Sequence, residues 1–348
     1  KVQDPDLKRD VVSLGEIRDL KVEGGAASFV LVLPTPAHPS RDRLRADVEA
    51  AVRATPGVAS VAATVRAEVR GTATSGPSAT PSVKNLIAVG SGKGGVGKST
   101  VAANLAAGLA RLGAKTGLLD ADIYGPSIPL MFGCDPAEKP TVAERGGRRL
   151  MNPVEAHGVK LISMGFLVDP DKPVVWRGPM LHGALRQFFG EVAWDDLDYL
   201  IIDLPPGTGD VALTMAQTVT LTGAVVVSTP QNVALIDAKK ALAMFQQTNI
   251  PILGLVENMT GPVFGAGGVR AWAAAQGHRF LGELPLSPGV RESGDRGAPA
   301  ALSADPAVSG PYLRLAEQVA IAAAARNLDA PQRRPISLDA PAPGSMEV

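Results

Sequence analysis

The chain has 348 residues, 45% of them hydrophobic, and its 34 Lys and Arg residues balance 34 Asp and Glu residues. This length predicts two domains, and the zero net charge excludes a global attraction to nucleic acid or anionic membranes. The apolar runs are too short to span a bilayer, and a single cysteine excludes an intrachain disulfide. We expect a cytoplasmic protein without a signal peptide, a nucleic-acid partner or a membrane partner.

The first 70 residues predict a small α/β domain. Residues 27–34 and 58–69 read as strands, and residues 40–55 read as a helix that Ser40 can cap. Residues 71–82 lack large apolar side chains, which indicates a flexible linker and a domain boundary.

Short apolar strands alternate with helical segments over residues 83–328. This pattern predicts an α/β domain whose mostly parallel sheet is covered by helices on both faces. Residues 329–348 are rich in proline and predict a disordered tail. The predicted strands are 85–91, 115–122, 198–205, 223–230, 251–258 and 279–286, and the predicted helices include 210–219, 234–248 and 310–327.

A glycine-rich segment, "GKGGVGKS" (92–99), lies between a predicted strand and a predicted helix. It matches the phosphate-binding pattern of P-loop NTPases, in which glycines let backbone N–H groups surround phosphate oxygens. We expect Lys98 to reach the β- and γ-phosphates, Ser99 to bind Mg²⁺, and Thr100 to lie near the α-phosphate. The predicted nucleotide-binding residues of the loop are Gly92, Lys93, Gly94, Gly95, Val96, Gly97, Lys98, Ser99 and Thr100.

Three aspartates at predicted strand ends complete the expected site. Asp203 in "YLIIDLPPGTGD" has the form of a Walker-B aspartate that supports Mg²⁺. Asp120 and Asp122 in "GLLDADIYGPS" are two residues apart, so one can support the metal while the other orients the attacking water. The alternative is a solvated carboxylate pair at a strand terminus.

A second lysine, Lys93, stands too early in the loop to be the embedded one. At the mouth of the loop it can reach a phosphate on a second copy of the protein, as an arginine finger does in trans. With this lysine the segment resembles the deviant Walker-A ATPases, whose loop reads K-G-G-x-G-K-[ST]. We therefore expect ATP to close a two-fold homodimer that hydrolysis opens. The alternative is a solvated surface lysine.

The wider sequence resembles the Mrp-type, or ApbC-type, iron–sulfur cluster carrier ATPases. The resemblance rests on "LLDADIYGPSIPLMFG", "VVWRGPML", "STPQNVALIDAKKAL" and "LGLVENM", and residues 1–70 are similar to the small iron–sulfur assembly domain often fused to them. It implies that Asp122 is the hydrolytic aspartate, that Asn258 reads the adenine edge with Pro230 beside the base, and that Arg177 lies at the dimer-facing edge. It also implies a [4Fe–4S] cluster bound at the dimer interface and passed to apoproteins.

The sequence departs from that family at its cysteines. A C-x-x-C pair normally follows the "ENM" segment, whereas residues 260–263 here read "TGPV", and "TPAHP" places His38 where the small domain carries a cysteine. A [4Fe–4S] cluster usually needs four thiolates, and a dimer of this chain offers only two, both Cys134. We expect Cys134 to be a small buried hydrophobic residue and His38 to be solvated.

Two other functions remain open from the sequence. One is a positioning or partition ATPase related to ParA and MinD, although no basic terminal helix or basic stripe marks a membrane or DNA surface. The other is a non-enzymatic adaptor whose ATPase domain acts as a slow clamp that bound nucleotide holds closed. The presence of Lys98 and Asp122 favours ATP hydrolysis over this alternative.

Overall fold

A computed structural model describes residues 1–72, 80, 82–123, 125–135, 138–166, 178–207 and 209–329. Most of the predicted linker, Arg177 and all but the first residue of the predicted tail lie outside the described residues. The boundaries proposed for the linker and the tail therefore stay predictions.

Helices and strands alternate over most of the described ranges. The helices are α1 (Arg41–Arg53), α2 (Lys98–Arg111), α3 (Ile128–Met131), α4 (Gly178–Gly190), α5 (Gly209–Thr218), α6 (Asn232–Gln247), α7 (Gly268–Ala275), α8 (Pro288–Asp295) and α9 (Pro306–Asp329). The strands are β1 (Gln3–Asp4), β2 (Arg9–Asp10), β3 (Ile17–Glu23), β4 (Ala26–Leu33), β5 (Ser60–Ala67), β6 (Val83–Ser91), β7 (Thr116–Asp120), β8 (Thr141–Arg145), β9 (Arg148–Asn152), β10 (Val154–Ala156), β11 (Val159–Ser163), β12 (Leu197–Asp203), β13 (Gly223–Ser228), β14 (Ile252–Thr260) and β15 (Phe280–Pro285).

The largest sheet has eight strands in the order β10-β11-β7-β12-β6-β13-β14-β15. Its neighbouring strands are parallel except for β10 and β11. The strand register places Asp203 of β12 opposite both Asp120 of β7 and Val89 of β6. Because carboxyl ends of parallel strands share one edge, the acidic strand ends lie beside the segment that follows β6.

Side chains of this sheet enter two hydrophobic cores, one on each face. Ile87 and Val89 pack with α2 and α9, whereas Leu86 and Ala88 pack with α4, α5, α6 and α7. Successive strand residues point to opposite faces, so this division requires helices on both. The predicted α/β fold with a doubly covered, mostly parallel sheet is confirmed.

A smaller sheet near the amino terminus has the order β3-β4-β5, and Leu44 and Val48 of α1 pack against it. Ser40 precedes α1, but its side chain makes no capping hydrogen bond, so the predicted cap is wrong. Its ψ of 19° differs from the extended conformation that aims a cap oxygen at the first turn. The loop after β4 contacts the larger sheet, since the hydroxyl of Tyr199 in β12 donates to Thr35 Oγ1 at 3.0 Å.

The last described helix begins earlier than predicted. α9 starts at Pro306 rather than residue 310, because Asp305 Oδ1 accepts the Ala307 N–H at 2.8 Å and proline suits a first helical position. The helix ends at Asp329, the first residue of the predicted tail. None of the helices in the described ranges combines the length and apolar character needed to cross a bilayer.

Candidate functional site

The glycine-rich loop joins the central strand β6 to helix α2. Gly97 has a φ of +79°, and a Cβ there would lie 2.3 Å from Asn258 Nδ2. A Cβ on Gly92 would lie 1.9 Å from the Asp237 carbonyl oxygen at the face of α6. Any larger residue would therefore displace the loop backbone, which explains why the turn before α2 requires glycine. The amino terminus of α2 faces this turn and favours an anion.

Lys98 lies buried at the start of α2, among carboxylates. Its Nζ donates to Asp203 Oδ1 at 2.6 Å and lies 3.5 Å from Asp122 Oδ2. It also donates to Ser99 Oγ at 3.1 Å. The structure thus brings together four predicted site residues, and it holds the cation beside two acidic groups rather than extended along the loop.

The acidic strand ends form one buried group. Asp120 Oδ2 accepts a hydrogen bond from Ser163 Oγ at 2.9 Å, and Asp120 Oδ1 accepts one from the Asp122 N–H at 3.1 Å. Burial, followed by the charge of Asp203, raises the pKa of Asp120 from 3.8 to about 7. Burial also raises the pKa of Asp203, although Lys98 opposes it.

This carboxylate group fits a magnesium ion. Asp203 Oδ2 is buried and has no hydrogen-bond partner among the described residues. A hard divalent cation that prefers oxygen ligands would satisfy that atom, with the Ser99 hydroxyl and Asp120 within the same group. The arrangement can therefore bring Mg²⁺ and the phosphate loop together at one edge of the sheet.

Asn258, near the end of β14, contacts the phosphate loop directly. Its Nδ2 donates to the Val96 carbonyl oxygen at 2.8 Å, and the side chain is buried. Asn258 thus supports the backbone that would hold phosphate. Its predicted contact with an adenine edge stays a prediction.

A cavity of about 300 Å³ opens beside this contact. Gly97, Thr100 and Asn258 line it together with a mostly apolar wall that the sequence analysis did not identify. That wall includes Pro285, Leu286, Val290 and Tyr312. One available signal was that "SPGV" (287–290) directly follows the predicted strand 279–286, and ligands of parallel sheets bind beyond such strand ends. Pro230 is not among the residues that line the cavity, and its place beside a base stays a prediction.

Lys93 lies half-buried at the mouth of the loop. Its carbonyl oxygen accepts a hydrogen bond from Ser91 Oγ at 2.9 Å, which orders the backbone. No ion pair of its ammonium is found within the described ranges. The neighbouring Gly94 and Gly95 are exposed, so this part of the loop faces outward.

The segment after Asn258 is closed by a tight turn. Gly261 and Gly265 exchange two backbone hydrogen bonds, of 2.9 and 2.7 Å, and Val263 at the tip is exposed. This five-residue turn therefore occupies the position where the C-x-x-C pair of the family is expected. Cys134 is only half-buried, and burial, followed by the charge of Glu138, raises the pKa of its thiol.

The prediction of a solvated His38 is wrong. Its side chain is completely buried, because the loop after β4 folds against the β1–β2 hairpin and places Nε2 2.9 Å from Asp4 Oδ2. Asp4 lies 34 residues before His38 in the sequence, so the residues around His38 do not indicate this burial.

Comparisons with known proteins agree with these features. Residues 82–320 match the family model described as NUBPL iron-transfer P-loop NTPase, and residues 1–65 match the model described as iron-sulfur cluster assembly protein. A protein of Synechocystis sp. named iron-sulfur cluster carrier protein is 47% identical over 332 residues, covering 92% of this chain and 94% of that protein. A Deinococcus radiodurans protein of the same name is 49% identical, and 90% of each chain is covered.

Solved structures give the same fold. A nucleotide-binding protein from Archaeoglobus fulgidus in complex with ADP is 41% identical, with a TM-score of 0.54 over 62% of this chain and 87% of that chain. The cell division ATPase MinD of Pyrococcus furiosus gives a TM-score of 0.52 at 22% identity, over 68% of this chain and 98% of that chain. At that identity the likeness concerns the fold alone.

Proposed function

We propose that this chain, which belongs to the family of NUBPL iron-transfer P-loop NTPases, hydrolyses ATP and uses the cycle to deliver iron–sulfur clusters to acceptor apoproteins. The observation that carries the proposal is the position of Lys98, beside Asp122 and Asp203 and directly under the glycine-rich loop. The iron-sulfur carrier names of relatives that cover 90% or more of this chain support the cargo.

The loop and its lysine would bind the triphosphate. Backbone N–H groups of residues 92–99 and the amino terminus of α2 attract the phosphate oxygens. The Lys98 ammonium would move from Asp203 towards the β- and γ-phosphates. The phosphates would offer it a negative charge in place of that of the carboxylate. Ser99, Asp120 and Asp203 would hold Mg²⁺, which when bound neutralises developing phosphate charge. Asp122 would orient the attacking water.

The apolar cavity would hold the nucleoside. It adjoins Gly97 and Thr100, so a nucleotide with phosphates in the loop would direct its base towards Asn258 and the wall that includes Pro285. Its volume of about 300 Å³ lies at the lower end of small-molecule sites.

We further propose that two copies enclose the nucleotides. Lys93 has an ammonium without an ion pair in the described ranges, on a loop that faces outward. In a two-fold dimer it would approach the nucleotide of the opposite subunit and stabilise transition-state charge there. Hydrolysis would remove that contact and let the dimer open.

The cluster is cargo, and this chain lacks the thiolates to hold one unaided. A dimer has two cysteines, whereas a [4Fe–4S] cluster usually takes four thiolates. The tight Gly261–Gly265 turn leaves no ligands at the expected position. We therefore propose that donor or acceptor proteins supply the missing ligands during transfer.

We also propose a cytoplasmic location. A chain with a single cysteine forms no intrachain disulfide, and proteins without disulfides are typical of the reducing cytoplasm.

A transfer assay tests the proposal. A [4Fe–4S] donor and an apoprotein that gains visible absorbance on receiving the cluster are incubated anaerobically with this protein, Mg²⁺ and ATP. We expect transfer to be faster with the wild type than with Lys98→Ala, while reconstitution of this protein alone retains little acid-labile sulfide. Equal transfer rates with both proteins would contradict the proposal.

A further inference from the structure

A buried group of His38, Asp4 and Asp6 lies where the β1–β2 hairpin meets the loop after β4. One nitrogen or carboxylate oxygen from each residue lies within 4.8 Å of the others. The His38 and Asp4 side chains are completely buried, and the Asp6 side chain is 20% exposed. This group lies outside the nucleotide site.

Asp4 holds the imidazole in a defined orientation. Asp4 Oδ1 accepts the N–H groups of Asp6 and Leu7 at 2.7 and 3.0 Å, which anchors the carboxylate to the hairpin turn. Asp4 Oδ2 lies 2.9 Å from His38 Nε2. The Asp4 carboxylate already accepts two N–H groups through Oδ1 and is the acceptor in this contact as well. His38 Nε2 therefore carries the proton, and in the neutral ring Nδ1 presents a lone pair.

The other ring nitrogen faces a second carboxylate without bonding to it. His38 Nδ1 lies 3.7 Å from Asp6 Oδ2, and both atoms are buried without a hydrogen-bond partner among the described residues. That separation is too long for a hydrogen bond. A buried polar atom without a partner destabilises the folded protein, so two that face each other require an explanation.

A bridging metal ion is compatible with this separation. An ion about 2.0–2.2 Å from both atoms would make an angle of about 115–135° with them, within about 25° of the tetrahedral angle. A carboxylate behind a metal-binding histidine is also the usual support for such a ligand.

We propose that His38 Nδ1 and Asp6 Oδ2 bind a divalent transition-metal ion of the Zn²⁺ or Fe²⁺ class, with Asp4 as the positioning residue behind the imidazole. Imidazole and carboxylate together favour this class over Mg²⁺ or Ca²⁺. The partly exposed side of Asp6 admits the ion and the waters that complete its coordination. Glu317 of α9 adds negative charge, since it interacts electrostatically with both Asp6 and His38.

Zinc binding to the full chain tests this site, because Zn²⁺ is diamagnetic and does not change oxidation state. Equilibrium dialysis against Zn²⁺ at micromolar concentrations gives the affinity of the wild type and of four variants. We expect Asp6→Asn and His38→Gln to weaken binding at least about tenfold, and Asp4→Asn about 10–100-fold. Asp47→Asn, on the exposed face of α1, is the matched control and should keep wild-type affinity. Carboxylates at the phosphate loop remain in every variant, so zinc bound there contributes equally.

Nitrogen NMR identifies the ligand atom. The chain has four histidines, so long-range ¹H–¹⁵N spectra are simple, and Zn²⁺ should shift the Nδ1 resonance of His38 strongly while Nε2 keeps its proton. If His38→Gln fails to fold, Asp6→Asn still tests the site, because Asp6 Oδ2 has no hydrogen bond to any described residue that the substitution would break. Unchanged His38 resonances, or wild-type zinc affinity in Asp6→Asn, would overturn the proposal.

Discussion

Lys98 Nζ lies 2.6 Å from Asp203 Oδ1, so the lysine expected to bind phosphate is paired with the carboxylate expected to support Mg²⁺. Both residues are buried, and a buried charge is tolerated when it has a partner. The pair therefore stabilises the site and also keeps the cation next to the place where phosphate charge would arrive. Substitution of Lys98 should affect folding and binding together.

Lys98→Ala should weaken ATP binding about 10–100-fold, because it removes charge-assisted hydrogen bonds to phosphate. It should also lower the free energy of unfolding by about 3–5 kcal/mol, because Asp203 loses its cation. Fluorescent-nucleotide titration and urea denaturation measure the two effects. Lys139→Ala, on an exposed loop, is the control and should change neither. Undiminished affinity in Lys98→Ala would show that the site is misassigned.

Asp122→Asn should bind ATP about as well as the wild type but hydrolyse it about 10²–10⁴-fold more slowly. The amide keeps the size of the side chain and loses the charge that would orient and polarise the attacking water. Single-turnover phosphate release, measured beside nucleotide affinity, separates the two steps. A variant that hydrolyses ATP at the wild-type rate would remove Asp122 from the mechanism.

Lys93→Ala should slow hydrolysis about 10³–10⁵-fold if its charge acts on the opposite subunit as an arginine finger does. Mixing Lys93→Ala with Asp122→Asn then gives a direct test. In a mixed dimer, one site has an intact Asp122 and receives Lys93 from the other subunit, so activity should partly return. Phosphate release that stays at the level of the separate variants would argue against action in trans.

Asn258→Ala should lower ATP affinity about threefold to tenfold, since it removes one hydrogen bond to the Val96 carbonyl oxygen that supports the loop. If Asn258 also reads adenine, the ratio of ATP to GTP affinity should fall in the variant. Competition titrations with both nucleotides measure that ratio. A loss of affinity shared equally by ATP and GTP would assign Asn258 to loop support alone.

Glu16→Gln should make the stability of the protein less sensitive to a rise in pH from about 5 to 8.5. Glu16 is buried, and its two carboxylate oxygens have no hydrogen-bond partner in the part of the chain that the structure describes. Burial, followed by the charge of Asp4, raises its pKa from 4.5 to about 8. A raised pKa means that the folded protein holds the proton more tightly, so stability is lost as pH rises from about 4.5 to 8. Between pH 5 and pH 8.5 the wild type should lose about 2–4 kcal/mol more than Glu16→Gln. Urea denaturation with chelator present checks this, and parallel losses would contradict it.

The doubly covered parallel sheet and the loop between β6 and α2 were predictable because their signals are local. Alternating apolar strands and helices specify the layers, and a run such as "GKGGVGKS" specifies its own backbone turn. The strand ends at Asp120 and Asp203 were predictable for a related reason. Parallel strands share one carboxyl edge, so chain position indicates that both aspartates lie at that edge, whereas the pairing of β7 with β12 brings them opposite each other.

The amino-acid sequence by itself determined the fold class, the phosphate loop and the acidic strand ends, because each depends on residues that are close together in the chain. It also determined the shortage of cysteines, because that is a count of residues. Only the tertiary structure decided that Lys98 pairs with Asp203, that Asn258 supports Val96, and that His38 is buried against Asp4. These contacts join elements far apart in sequence, and side-chain charge and hydrogen bonding across packed elements leave no periodic signal. Burial then makes each such contact energetically important, since no water replaces a missing partner.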